Sequence, residues 1–194
     1  MIPLDLDHPT AIELSIGAND AVVAADFSAA HRLANRLDVG VSVGAPLAAP
    51  DLGDGRAGVW LRYTVPLPRN LAIPMRVGPA VQLTTNDTFT GVSLLTEAAM
   101  HPGWYGKTFS VAADLVYRQA WLTHIESSDY YEEWLYDAPE GWYAATGQTV
   151  RTGVRATATH RDIQFGITGG WQHNGKYAVL LPPVYAVVDT SLRF

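Results

Sequence analysis

Apolar residues recur at every second position over long stretches of this chain, a period that strands satisfy and helices do not. From Arg56 to Val65, Ala57, Val59, Leu61, Tyr63 and Val65 share one face, and Arg56, Gly58, Trp60, Arg62 and Thr64 the other. From Phe109 to Ile125, Phe109, Val111, Ala113, Leu115, Tyr117, Trp121 and Ile125 lie opposite Ser110, Asp114, Arg118, His124 and Glu126. Ten segments of this kind are predicted, at about 11–18, 22–30, 37–45, 56–66, 71–84, 88–97, 107–125, 146–160, 162–172 and 184–194. Ala29 to Leu37 offers one helical turn at most. With no internal repeat and no Pro/Gly-rich linker, residues 1–194 read as one all-β domain.

The connections alternate in length. Short polar turns are expected at His31–Arg36, Pro66–Asn70 and His160–Asp162, and longer loops at Ala45–Gly55, Ser127–Ala145 and His173–Pro183. That is the pattern of an up-and-down antiparallel meander. The link from Ala98 to Gly106 is longer than the scheme predicts. Pro74 and Pro79 fall inside the fifth strand, where proline removes a ladder donor. They imply a bulge or a strand in two pieces, and leave eight strands as the alternative to ten.

Alternation does not say which face meets water, so composition decides. Charged residues are only 16% of the chain, and of the thirteen basic residues only Lys107 and Lys176 are lysines. A solvated barrel surface would be rich in Lys and Glu. Here the polar faces read Gly40-Ser42-Gly44, Arg76-Gly78-Ala80-Gln82, Arg151-Gly153-Arg155-Thr157 and Gln164-Gly166-Thr168-Gly170, which suits a crowded polar interior with the apolar face turned to lipid. A soluble barrel with an apolar cavity is the reading with the faces reversed. The net charge of −6 excludes a nucleic-acid binder that relies on a basic face. Without cysteine there is no disulfide framework and no thiol nucleophile. The opening Met1-Ile-Pro-Leu-Asp-Leu-Asp lacks the basic and apolar regions of a secretory leader, as expected of a mature form.

Counting back from Phe194, positions Leu192, Thr190, Val188, Ala186 and Val184 form an uncharged face, opposite Tyr185, Asp189, Ser191 and Arg193. An amphipathic strand ending in Phe resembles the closing strand of Gram-negative outer-membrane β-barrel proteins. That resemblance implies an integral outer-membrane location, contact with outer-membrane lipids and lipopolysaccharide, and recognition of Phe194 by the barrel-assembly machinery. Bilayer physics agrees, since only helices and closed barrels satisfy every backbone group in hydrocarbon. Tyr63, Tyr117, Trp121, Trp171 and Tyr185 lie on or near strands and are candidates for interfacial girdles.

With the polar faces inward, Glu13, Asp26, Arg62, Arg76, Asp114, Arg118, Arg151, Arg155 and Asp189 point into the lumen. Isolated charges are costly there, so a paired network is expected. Either it fills a small barrel structurally or its Arg-rich side lines a narrow polar path. A general porin is not expected at this strand number.

The segment from Glu126 to Tyr143 carries six carboxylates, no base and a run of Tyr and Trp. Asp129, Tyr130, Tyr131, Glu132, Glu133, Trp134, Tyr136, Asp137, Glu140 and Trp142 make it a candidate contact surface for another envelope protein. Its carboxylates lack EF-hand spacing, and no metal or cofactor is expected. For an enzyme the best candidates are His124 with Glu126, Ser127 and Ser128, a set that distantly resembles the His/Ser site of outer-membrane lipid A deacylases. Glu126 occupies the position where that pattern has Ser, so enzymatic activity is not the expectation. The leading reading is a structural or partner-binding barrel. A narrow channel for small solutes is next, then a lipid-modifying enzyme or a soluble ligand-binding barrel.

Overall fold

The computed structural model describes residues 9–19, 22–47, 53–85, 89–127, 140–173 and 183–194. They form eleven strands: β1 (Thr10–Asn19), β2 (Val22–Ala34), β3 (Leu37–Pro46), β4 (Gly53–Pro66), β5 (Leu71–Thr85), β6 (Phe89–Met100), β7 (Gly103–Tyr105), β8 (Phe109–Ser127), β9 (Gly141–His160), β10 (Ile163–His173) and β11 (Val184–Arg193). All pairings are antiparallel, and β4 pairs with β5 to close the sheet. Closure leaves no open edge, which is what hydrocarbon demands of a sheet.

The wall has ten staves, not eleven. Met100 pairs with Met75 on β5 and Leu115 on β8, and Gly103 pairs with Ala72 and Ala112 on the same two strands in unbroken register. β7 is therefore the end of β6 beyond a two-residue interruption at His101–Pro102. Even there the ladder persists, since His101 N donates to Pro74 O at 2.9 Å and Ala113 N to Pro102 O at 2.9 Å. The expected long link from Ala98 to Gly106 is thus mostly strand. The true turn is residues 106–108.

With that correction the connections sort cleanly. Residues 35–36, 67–70, 106–108 and 161–162 join strands at one end, the turn end. Residues 20–21, 47–52, 86–88, 128–140 and 174–183 join them at the other, the loop end. Both chain ends of the barrel meet at the turn end, where Phe194 N donates to Thr10 O at 3.0 Å and Thr10 N to Phe194 O at 3.1 Å.

The two prolines of β5 do not split the strand. Gly58 pairs with Ala80 and Leu61 with Val77 in one register, but no pairing spans residues 59–60 and 78–79 between them. Pro79 has no N–H to give, and Gly78 lies so close to the backbone of Val59 and Trp60 that a Cβ there would collide with it. The ladder lapses and resumes without a bulge.

Burial is inverted relative to a soluble domain. Val188, Ile167, Phe165 and Val154 face outward, each 58–62% exposed, while Asp38, Asp114, Gln164 and Asp189 are buried inside. Backbone groups paired around a closed wall, an apolar outer surface and a polar interior are the arrangement of a membrane-spanning barrel. Tyr63, Tyr117, Trp121 and Trp171 lie on the outer surface as expected. Tyr185 does not: it is buried in the lumen, on the face of β11 that also carries Asp189 and Ser191.

Candidate functional site: the charged lumen

Inward side chains from different staves meet in four charged groups. The largest centres on Glu97, midway along the β6 stave. Its Oε2 accepts from Arg118 Nε at 2.6 Å and Arg56 NH1 at 3.1 Å, and its Oε1 from Arg76. Arg56 also reaches Asp26 Oδ1 at 2.9 Å, linking β2, β4, β5, β6 and β8 through one set of charges. A carboxylate offers about four lone-pair sites, so three guanidinium forks on one Glu are chemically reasonable.

Nearer the turn end, Asp38 is fully buried between two arginines, with Arg62 Nε on Oδ2 at 2.8 Å and Arg32 Nε on Oδ1. Trp60 lies beside this pair. The Arg62 guanidinium carbon stands 5.8 Å and that of Arg76 5.6 Å from the Trp60 ring, within cation–π range. The ring lies directly over Gly40, where a Cβ would overlap it. Glycine at this point of β3 is what admits a Trp into so narrow a barrel.

On the far wall, Asp114 Oδ2 accepts from Arg151 Nε at 3.0 Å and Tyr185 Oη at 2.6 Å. Its Oδ1 stands 3.2 Å from His101 Nδ1. Arg155 bridges Asp189 at 2.5 Å and Glu13 at 3.5 Å. Below them Gln164 Nε2 donates to Thr157 Oγ1 at 2.7 Å, and that hydroxyl also meets Ser110 Oγ. Burying this many charges is tolerable only because each group answers another.

All nine residues expected to point into the lumen do so; Asp114 pairs with Arg151, and Arg155 with Asp189 and Glu13, but the other four find partners only outside the set. Asp26, Arg76 and Arg118 are joined through Arg56 and Glu97, and Arg62 is held by Asp38. Arg56 lies on the polar face already read for 56–65, and Asp38 falls two residues before Gly40 on the polar face of β3, so both were legible. Glu97 is less legible because the predicted sixth strand, 88–97, ends on it.

The His124 cluster is rearranged by a bulge. Ala120 and Leu122 pair in the ladder while Trp121 between them does not, so side-chain alternation inverts beyond it. Thr123 then faces inward, bonded to Ser93 Oγ at 2.8 Å and Thr146 Oγ1 at 2.5 Å. His124 faces outward, contrary to its expected place opposite Trp121. Its ring lies 4.8 Å from that of Trp142, and its Nδ1 is 3.7 Å from Glu126 Oε1. Ser127, three residues along the strand, projects to the opposite face. Ser128 and residues 129–137 of the acidic aromatic segment lie outside the described residues; Glu140 and Trp142 stand at its base, both exposed.

A cavity of about 340 Å³ runs through the lumen. Pro46 and Gln82, near the loop end, line it together with Tyr105 and Ser110, near the turn end.

No protein-family model and no curated protein matches the sequence. Among solved structures, the N-terminal β-barrel domain of Pseudomonas aeruginosa OprF is 12% identical, with 96% of this chain and 98% of that one covered and a TM-score of 0.42. The KdgM porin is 8% identical over 95% and 99% of the two chains, with a TM-score of 0.44. The β domain of the Bordetella autotransporter BrkA is 10% identical over 96% and 99%, with a TM-score of 0.34. At such identities and scores these likenesses carry nothing about substrate or role, which rest on the residues of the lumen itself.

Proposed function

We propose that the protein is an integral outer-membrane barrel whose lumen is a narrow passage for small hydrophilic solutes. The observation that carries this reading is the polar cavity lined from near one rim to near the other. A lumen serving structure alone would gain by being filled, as small barrels commonly are. This one keeps a volume that would hold on the order of ten waters, walled by charged and hydroxyl side chains. Each charge is held in place by a partner, so the wall is preorganised and a solute meets fixed dipoles.

Reconstitution into planar bilayers tests the proposal. Discrete conductance steps, altered in size by Arg118→Gln, are the expected result. A detergent-folded, heat-modifiable protein that inserts without conducting overturns it.

A second reading, partner binding, has one observation of its own. The acidic aromatic segment is carried by the two longest strands, β8 with 19 residues and β9 with 20. Deleting residues 128–139 should abolish capture of an envelope partner while leaving conductance intact.

A further inference from the structure

The passage is asymmetric in sign. Six arginines stand in the cavity wall against four carboxylates, Glu13, Asp26, Asp114 and Asp189. Two further acids hold these cations without lining the cavity, Asp38 fully buried and Glu97 enclosed by three guanidiniums. Glu97 and Asp38 hold Arg56, Arg76, Arg118 and Arg62, yet it is the guanidinium groups and not those two carboxylates that form the wall. Around Glu97 the donor balance points the same way. Three guanidiniums bring about fifteen N–H donors, while the carboxylates of Glu97 and Asp26 accept about eight. Donors are left over, and they belong to residues that face the cavity.

From this we propose that the lumen concentrates small anions, and that Arg56, Arg76 and Arg118 form a binding site for a carboxylate or phosphate-type oxyanion at mid-height. The planar guanidinium fork matches such groups bidentately. Glu97 is a positioning residue: it gathers the three forks from β4, β5 and β8. This inference deepens the conduit reading and rests on it for passage, but occupancy of the lumen is measured separately.

Trp60 is the reporter, because it lines the cavity while Trp104, Trp121, Trp142 and Trp171 are exposed on the outer surface. Its fluorescence, taken as wild type minus Trp60→Phe in detergent at constant ionic strength, is quenched with iodide and, in parallel, with caesium. An excess cationic charge within a nanometre in a low-dielectric lumen should make iodide on the order of tenfold more effective. Arg118→Gln should remove most of that preference and added inorganic phosphate should compete with iodide. Arg56→Gln, checked for heat-modifiable migration, repeats the test if Arg118→Gln does not fold.

Equal quenching by both ions, a caesium preference, no quenching by either, or an iodide preference unmoved by both variants overturns the proposal. Iodide preference in a protein that does not conduct leaves the anion site standing and removes the conduit. Conduction with potassium favoured over chloride does the reverse.

Discussion

The Tyr185 hydroxyl donates to Asp114 Oδ2 at 2.6 Å, joining the last strand to the middle of β8 across 71 positions of sequence. The same oxygen takes Arg151 Nε, and the Arg151 guanidinium lies 4.7 Å from the Tyr185 ring centre. Losing the hydroxyl removes one donor from a buried carboxylate that keeps another. Tyr185→Phe should therefore cost about 1–3 kcal/mol. Asp114→Ala strands Arg151 in the lumen and should cost about 3–5 kcal/mol. Urea titration of the refolded barrel in detergent, followed by the shift between folded and unfolded gel bands, should rank them in that order.

Gly40 has no room for a side chain because Trp60 occupies it. Gly40→Val should destabilise the barrel by about 1–3 kcal/mol through overpacking. Combining it with Trp60→Leu should recover most of the loss, and near-ultraviolet circular dichroism should show whether the indole has been displaced.

Since His124 and Ser127 project to opposite faces of β8, no serine nucleophile at Ser127 is within reach of the imidazole. Ser127→Ala should therefore leave any release of fatty acid from lipopolysaccharide unchanged, and His124→Ala should cost the contact with Trp142. That contact should amount to about 0.5–1.5 kcal/mol in a stability measurement.

Phe194 makes the final rung between β11 and β1. Removing it takes away both backbone bonds to Thr10. We expect a fall in the heat-modifiable fraction recovered from outer membranes, with the detergent-refolded protein less affected.

Period-two alternation made nearly the whole wall legible in advance, because lipid on one side and a polar lumen on the other constrain alternate positions oppositely. Where it misled, a local irregularity was the cause. His101–Pro102 looks like a loop but continues a stave, as its neighbours on β5 and β8 hold register past it. Trp121 looks like one more outward aromatic but is an extra residue, and it exchanges the faces of everything beyond, His124 included. The inward residues of the lumen were legible as a set, their pairing was not. Glu97 meets Arg56, Arg76 and Arg118 from 41, 21 and 21 residues away. Such partners are set by strand order and register, which alternation within a single strand does not encode.

The clean sorting of connections into two ends has an electrical consequence. In sequence, the turn-end connections carry Arg36, Arg69, Lys107 and Arg161 with one acid, Asp162, and the loop-end connections eight carboxylates with one lysine, Lys176. The formal charge carried by the connections is thus positive at the turn end and negative at the loop end. Under the proposed anion passage, that distribution favours entry of an anion from the turn end over entry from the loop end. For the proposed passage we expect rectification in planar bilayers: a current larger at one polarity of the applied voltage, with the difference shrinking as salt screens the two ends.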